Sequence, residues 1–173
     1  MNSCEYCKMV ESGKTKIYED DLAVAFLPKS PASFGHIILV SRAHYPIFEQ
    51  VPDNVLAQVG LVSNKLSIAV FDALKVAGTN IIIENGLPAG QLHPHFAMHI
   101  IPRSENDGLA FSWKTKQLTE EEMSTVELVI KDQLSKTSPT EPQKLPEEDV
   151  KPEQIAPKPG KVNFLIKQLN RIP

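Results

Sequence analysis

Asn85-Gly86-Leu87-Pro88-Ala89-Gly90-Gln91-Leu92-His93-Pro94-His95-Phe96-Ala97-Met98-His99-Ile100-Ile101-Pro102-Arg103 is the stretch on which the reading of this 173-residue chain turns. His95–Ile101 reads as a strand, bounded before it by turn residues. Alternate side chains on a strand share a face, so positions 95, 97 and 99 point the same way. Imidazoles occupy two of these positions, and between them stands only the methyl group of Ala97. Imidazoles beside a glycine-rich turn can bind metal, attack carbon or phosphorus, or donate hydrogen bonds to phosphate oxygens. The competing reading is a polar strand face with no task. Two same-face histidines, set between Gly90-Gln91 and Pro102-Arg103, weigh against it.

Working outward, Lys14–Asp20 and Leu22–Leu27 read as two strands joined by an acidic turn, and Gly35 precedes a buried strand over His36–Ser41. Pro52-Asp53 opens a long helix. Its Leu56, Val59, Val62, Leu66, Val70, Phe71 and Leu74 follow helical spacing, and Gly78 is expected to end it. Thr79–Glu84 is a further strand, and Asn85-Gly86 a turn. Thr119 and Glu122 form a capping box before a helix carrying Met123, Val126, Val129, Ile130 and Leu134. Residues 1–136 therefore read as the folded domain. Residues 137–160 carry Pro139, Pro142, Pro146, Pro152, Pro157 and Pro159 among polar residues and read as a linker. Residues 161–173 regain an apolar stripe, Val162, Leu165, Ile166, Leu169 and Ile172, expected to form a short amphipathic helix. That segment either folds back on the domain or its partner copy, or binds another protein.

An apolar fraction of 42% suffices for a core, while a net charge of −3 and a pI near 6.0 give no basis for nucleic acid or an anionic membrane as partner. Apolar runs such as Ile37–Val40 are too short to span a bilayer. Met1-Asn2-Ser3 leads into Cys4 without a basic region and apolar core, so a cytoplasmic protein is expected. The two cysteines stand as Cys4-Glu5-Tyr6-Cys7. In a reducing compartment this spacing favours metal binding or redox chemistry over a structural disulfide. It is a soft bidentate clip for Zn²⁺. A free thiol pair is the bland alternative, and no βαβ pattern follows to support a redox role.

His95-Phe96-Ala97-Met98-His99-Ile100-Ile101 resembles the histidine triad signature, His-φ-His-φ-His-φ-φ with φ apolar, at six of seven positions. Asn85-Gly86, Ala89-Gly90-Gln91 and Pro102-Arg103 fit the pattern around it. Ile17-Tyr18-Glu19-Asp20, Ala25-Phe26-Leu27, Gly35-His36 with His44, and Trp113-Lys114 extend the likeness over about residues 3–135. The resemblance implies an α+β fold with a five-stranded antiparallel sheet flanked by helices, and a homodimer formed by joining sheets. It implies a nucleotide hydrolase or nucleotidyl transferase acting at the α-phosphorus through a nucleotidyl-histidine. Adenosine phosphoramidates, nucleotidylated amines and dinucleoside polyphosphates would be its substrates. By the same resemblance Ala97 stands at the nucleophile position, with His95, His99 and Gln91 completing the catalytic set. Asn85, Gln91 and His99 would hold the phosphate and leaving group, and Phe26 would pack on the base of an AMP-containing ligand. Zinc-bearing relatives imply a structural site of Cys4, Cys7, His44 and His95.

Alanine has no lone pair, so the chain as it stands is expected to bind better than it turns over. The intact supporting positions favour an introduced His→Ala change over a natural loss. The alternative is a nucleotide-binding regulatory module without catalysis. Pro28 stands where relatives carry a ribose-binding Asp or Asn, and Leu92 where many carry Ser or Thr. His93-Pro94-His95 also resembles the His-Pro-His of hexose-1-phosphate uridylyltransferases, a register that would make His93 the metal ligand and His95 the nucleophile. The spacing from Gln91 to His95 favours the triad register. His93 then falls at the pocket rim, and His36 is a structural residue.

Overall fold

Cys-x-x-Cys is the start of a helix. In the computed structural model, which describes residues 4–137, α1 spans Glu5–Ser12 with Cys4 as its N-cap and Gly13 closing it in the left-handed region. The sequence reading had no helix here, because eight residues with two thiols carry little periodic signal. Strands β1 (Lys16–Glu19), β2 (Ala23–Phe26), β3 (Ile37–Ser41), β4 (Gly78–Ile83) and β5 (Ala97–Arg103) follow, with α2 (Asp53–Leu74) between β3 and β4. The strands form one five-stranded antiparallel sheet in the order β1-β2-β3-β5-β4. With the helices, this is the expected α+β architecture.

Every residue of β2 and β3 is buried, which explains their unbroken apolar runs. One face of the sheet packs Ala25, Leu39, Phe96 and Ile100 against Val55, Val59, Val62, Leu66 and Val70 of α2. The other face packs Val24, Phe26, Ile38, Val40 and Ala97 against Val10 of α1, with Tyr6 and Met9 partly buried over them. Each fully buried Val or Leu contributes about 1.5–3 kcal/mol relative to exposure, so α1 is held chiefly by a few such contacts.

Two boundaries differ from expectation. The long helix ends at Lys75, which takes the left-handed conformation at φ 55 and donates its N–H to Phe71. Gly78 does not end the helix but begins β4, paired with Arg103. The final strand begins at Ala97 rather than His95: the His95 N–H bonds the His93 carbonyl at 2.8 Å, and the Phe96 N–H bonds Tyr45 at 2.6 Å. Gly35 has φ 86, and a Cβ there would collide with the Leu74 side chain, so the turn into β3 needs glycine.

Among the described residues α2 alone is long and apolar enough to cross a membrane by length and composition; its buried row against the sheet is that of a core helix. Residues 4–108 form one compact unit and residues 109–137 a second. The second holds α3 (Glu120–Lys136), started by the Thr119–Glu122 capping box as the sequence indicates. The linker and short C-terminal helix expected over 137–160 and 161–173 lie outside the described residues.

Candidate functional site

Two sites adjoin on the α1 face of the sheet. In the first, Cys4, Cys7, His44 and His95 bring their ligand atoms within 4.8 Å of one another. The Cys7 sulfur lies 3.3 Å from Nδ1 of His44 and 3.5 Å from Nδ1 of His95, and the Cys4 sulfur lies 3.6 Å from the same His95 nitrogen. The other nitrogen of His95, Nε2, is 2.9 Å from the Ser41 carbonyl oxygen. A carbonyl only accepts, so Nε2 carries the proton and Nδ1 offers its lone pair to the thiols. That is the tautomer a metal ligand needs. Burial and then the neighbouring His44 hold the His95 imidazole below its ordinary range, which keeps it neutral, although the Ser41 carbonyl pulls the other way. Burial, together with Cys4, pushes the Cys7 thiol up to about 11 in the absence of a cation. A bound divalent ion would reverse this by stabilising the thiolate. The four residues could hold a metal ion, and two thiols with two imidazoles are the donors of a closed tetrahedral zinc site.

The second site is a cavity of about 380 Å³, with Phe26, Ile38, Ala97, His99 and Gln91 among the residues lining it. Ala97 pairs with Val40 and His99 with Ile38 in the β3–β5 register, which puts both on the floor of the cavity. Tyr6, Met9 and Glu5 from α1 form one wall, and Pro28, Lys29 and Ser30 line another part. His93 is at this lining as well, stacked on Tyr6 with ring centroids 4.5 Å apart and 3.7 Å from the Glu5 carboxylate. His95 rather than His93 joins the thiols, in keeping with the triad register. Burial first, then the carboxylates of Glu84 and Glu5, push the Tyr6 phenol up to about 12.

Two of the expected ligand-holding residues have other partners. Gln91 lines the cavity, but its amide accepts from the Gly86 N–H at 2.7 Å and donates to the carbonyls of Pro46 and His93 at 2.7 and 2.9 Å. Asn85 is not part of the lining: it accepts from the Phe48 N–H at 3.1 Å and donates to Glu49 at 2.7 Å. Both side chains brace the loop between β4 and β5.

Glu84, Tyr6 and His36 were not anticipated at the cavity. Glu84 has its carboxylate against Gly90, where a Cβ would stand 3.1 Å from it at φ 99. No sequence signal marks it, because its position depends on where the loop after β4 turns. His36 reaches His99 at 3.0 Å across the β3–β5 pair, a contact visible only once the strands are paired.

A family model described as the HIT domain matches residues 10–106. An adenylylsulfatase of Arabidopsis thaliana is 37% identical over 123 residues, 68% of this chain and 59% of that protein, so the match spans less than two thirds of the relative's length. An adenosine 5'-monophosphoramidase of Saccharomyces cerevisiae is 28% identical over 118 residues, 66% of this chain and 72% of its own length. Among solved structures, a HIT family member from Bacillus subtilis superposes with TM-score 0.70 at 30% identity, covering 75% of this chain and 96% of its own. A zinc-bound histidine triad protein from Mycobacterium smegmatis gives TM-score 0.59 at 25% identity, covering 78% and 98%.

Proposed function

This chain belongs to the HIT-domain family, and on that premise we propose that its cavity binds an AMP-containing nucleotide without forming the nucleotidyl-histidine through which a hydrolase of this kind would act. The observation that carries this reading is the pair on the cavity floor: His99 in place to meet a phosphate, and Ala97 beside it with only a methyl group. The cavity volume falls in the range of small-molecule sites, and Phe26 and Ile38 give it an apolar part for a base. Adenosine phosphoramidates, nucleotidylated amines and dinucleoside polyphosphates are the substrates such a site would cleave if position 97 carried imidazole. The alternative is a regulatory module that only binds the nucleotide, and the Glu84 carboxylate at the cavity would oppose the ligand's phosphate equally in either case.

Zinc at Cys4, Cys7, His44 and His95 belongs to the same proposal. It would clamp α1 over the sheet and so hold the cavity wall formed by Tyr6 and Met9. A second copy joined along the exposed edge of β4, where Ile81 is half exposed, would give a homodimer with a continuous sheet.

The test compares the chain with its Ala97→His variant. AMP binding is measured by calorimetry, and AMP release from an adenosine phosphoramidate by chromatography. The chain should bind AMP without turnover, and the variant should release AMP about a thousandfold or more faster. Binding by both with turnover by neither would favour the regulatory module. Absence of AMP binding in both would overturn the nucleotide reading.

A further inference from the structure

A run of three hydrogen-bonding groups beside the cavity fixes which nitrogen of His99 carries its proton. The backbone N–H of Ala32 lies 3.1 Å from Nδ1 of His36 and donates to it. A backbone amide cannot accept, so Nδ1 of His36 bears a lone pair. A neutral imidazole then has its proton on Nε2, which lies 3.0 Å from Nδ1 of His99. His36 is therefore the donor of that contact, and Nδ1 of His99 the acceptor. The proton of neutral His99 is left on Nε2, the nitrogen its contact with His36 does not use. His36 is buried, and burial first and His99 second push its imidazole down to about 4. It therefore stays neutral, and the direction of the chain is maintained, through the physiological range.

We infer that His36 is a positioning residue that holds His99 as an Nε2–H donor toward the cavity. The consequence concerns what His99 can do. With its one lone pair turned to His36, neutral His99 can stabilise an acceptor such as a phosphoryl oxygen. It has no free nitrogen lone pair with which to replace the nucleophile missing at position 97. Burial disfavours a second proton on His99 and outweighs the Glu84 carboxylate just past β4, which favours one; His93 opposes it too. The tautomer stands on the hydrogen bonds alone, whereas its use for a phosphoryl oxygen rests on the nucleotide reading above.

Long-range ¹H–¹⁵N correlation spectra of the full-length protein near neutral pH report the tautomer directly. His99 and His36 should both show a protonated Nε2 and an unprotonated Nδ1. The His36→Phe variant keeps a ring of similar volume but no donor. Its His99 should become a mixture of tautomers, and its affinity for AMP should fall by up to about tenfold. A protonated Nδ1 on His99 in the unsubstituted protein would overturn the inference. So would an unchanged tautomer in His36→Phe. The unsubstituted spectrum decides the matter even if that variant fails to fold. If the tautomer is as expected but AMP does not bind, the positioning role stands and the nucleotide reading falls.

Discussion

Single residues on the cavity floor decide more of the chemistry than the fold does. Ala97 is a buried methyl in an apolar cluster with Val24, Phe26, Ile38 and Val40, so the strand accommodates it without a polar group to satisfy. His95, two positions earlier, faces the thiols, with its second nitrogen held by Ser41. The resemblance already assigns His95 to the thiols and His99 to the phosphate; the packing adds the partner of each, Ser41 for His95 and His36 for His99. Glu84 bears a prediction at this scale. Its carboxylate makes no hydrogen bond or ion pair among the described residues and stands close enough to His99 to act on its protonation. A bound phosphate would meet it as a like charge. Glu84→Gln should therefore raise AMP affinity by about three- to tenfold at low salt, measured by calorimetry, with the gain shrinking as salt is added. A loss of affinity instead would mean that the carboxylate accepts a hydrogen bond from the ligand.

At the scale of elements, α1 and α2 show where periodicity suffices and where it does not. The apolar row of α2 was readable because 22 residues repeat the pattern six times over, and its burial follows that row. Its end was misread at Gly78 because Lys75, a residue with no turn preference, takes the left-handed conformation instead. The eight residues of α1 are too few for a stable isolated helix. Val10, Met9 and Tyr6 dock it from one side, and Cys4 and Cys7 would tie its first turn to His44 and His95 through a metal. With zinc loaded at these four residues, its removal by a chelator should therefore loosen α1 before the sheet. Hydrogen exchange should accelerate in residues 5–12 while β3 and β5 stay protected, and the melting temperature should fall by about 5 °C or more. Uniform exchange across the molecule, or none, would argue against a clamp confined to this helix.

At the scale of the whole molecule, buried neutral histidines set the response to acid. His36 is held at about 4 against an ordinary 6.5, and burial lowers His99 as well. The unfolded chain binds these protons first, so their contribution to stability is complete above about pH 6.5 and is lost as pH falls toward 4. Asp20 adds a lower window. Burial pushes its carboxyl up, but hydrogen bonds from Tyr18, Gln58, Leu22 and Ala23 outweigh this and hold it at about 2 against 3.8. That contribution is present above about pH 4 and fades toward 2. Urea midpoints should thus fall between about pH 7 and pH 4.5, less steeply in His36→Phe, and a flat profile would contradict the burial. Assembly is testable at the same scale. Ile81→Glu on the exposed edge of β4 should leave the fold intact and give a monomer by sedimentation if copies join there. The sequence by itself determined the five strands, the two longer helices, the Cys-x-x-Cys clip and the alanine at position 97 between His95 and His99, because local periodicity and residue type carry those facts. Only the tertiary structure decided that Asn85 and Gln91 brace a loop and that His36 directs the proton of His99. Each of these depends on strand pairing that brings together residues dozens of positions apart, and no local pattern records it.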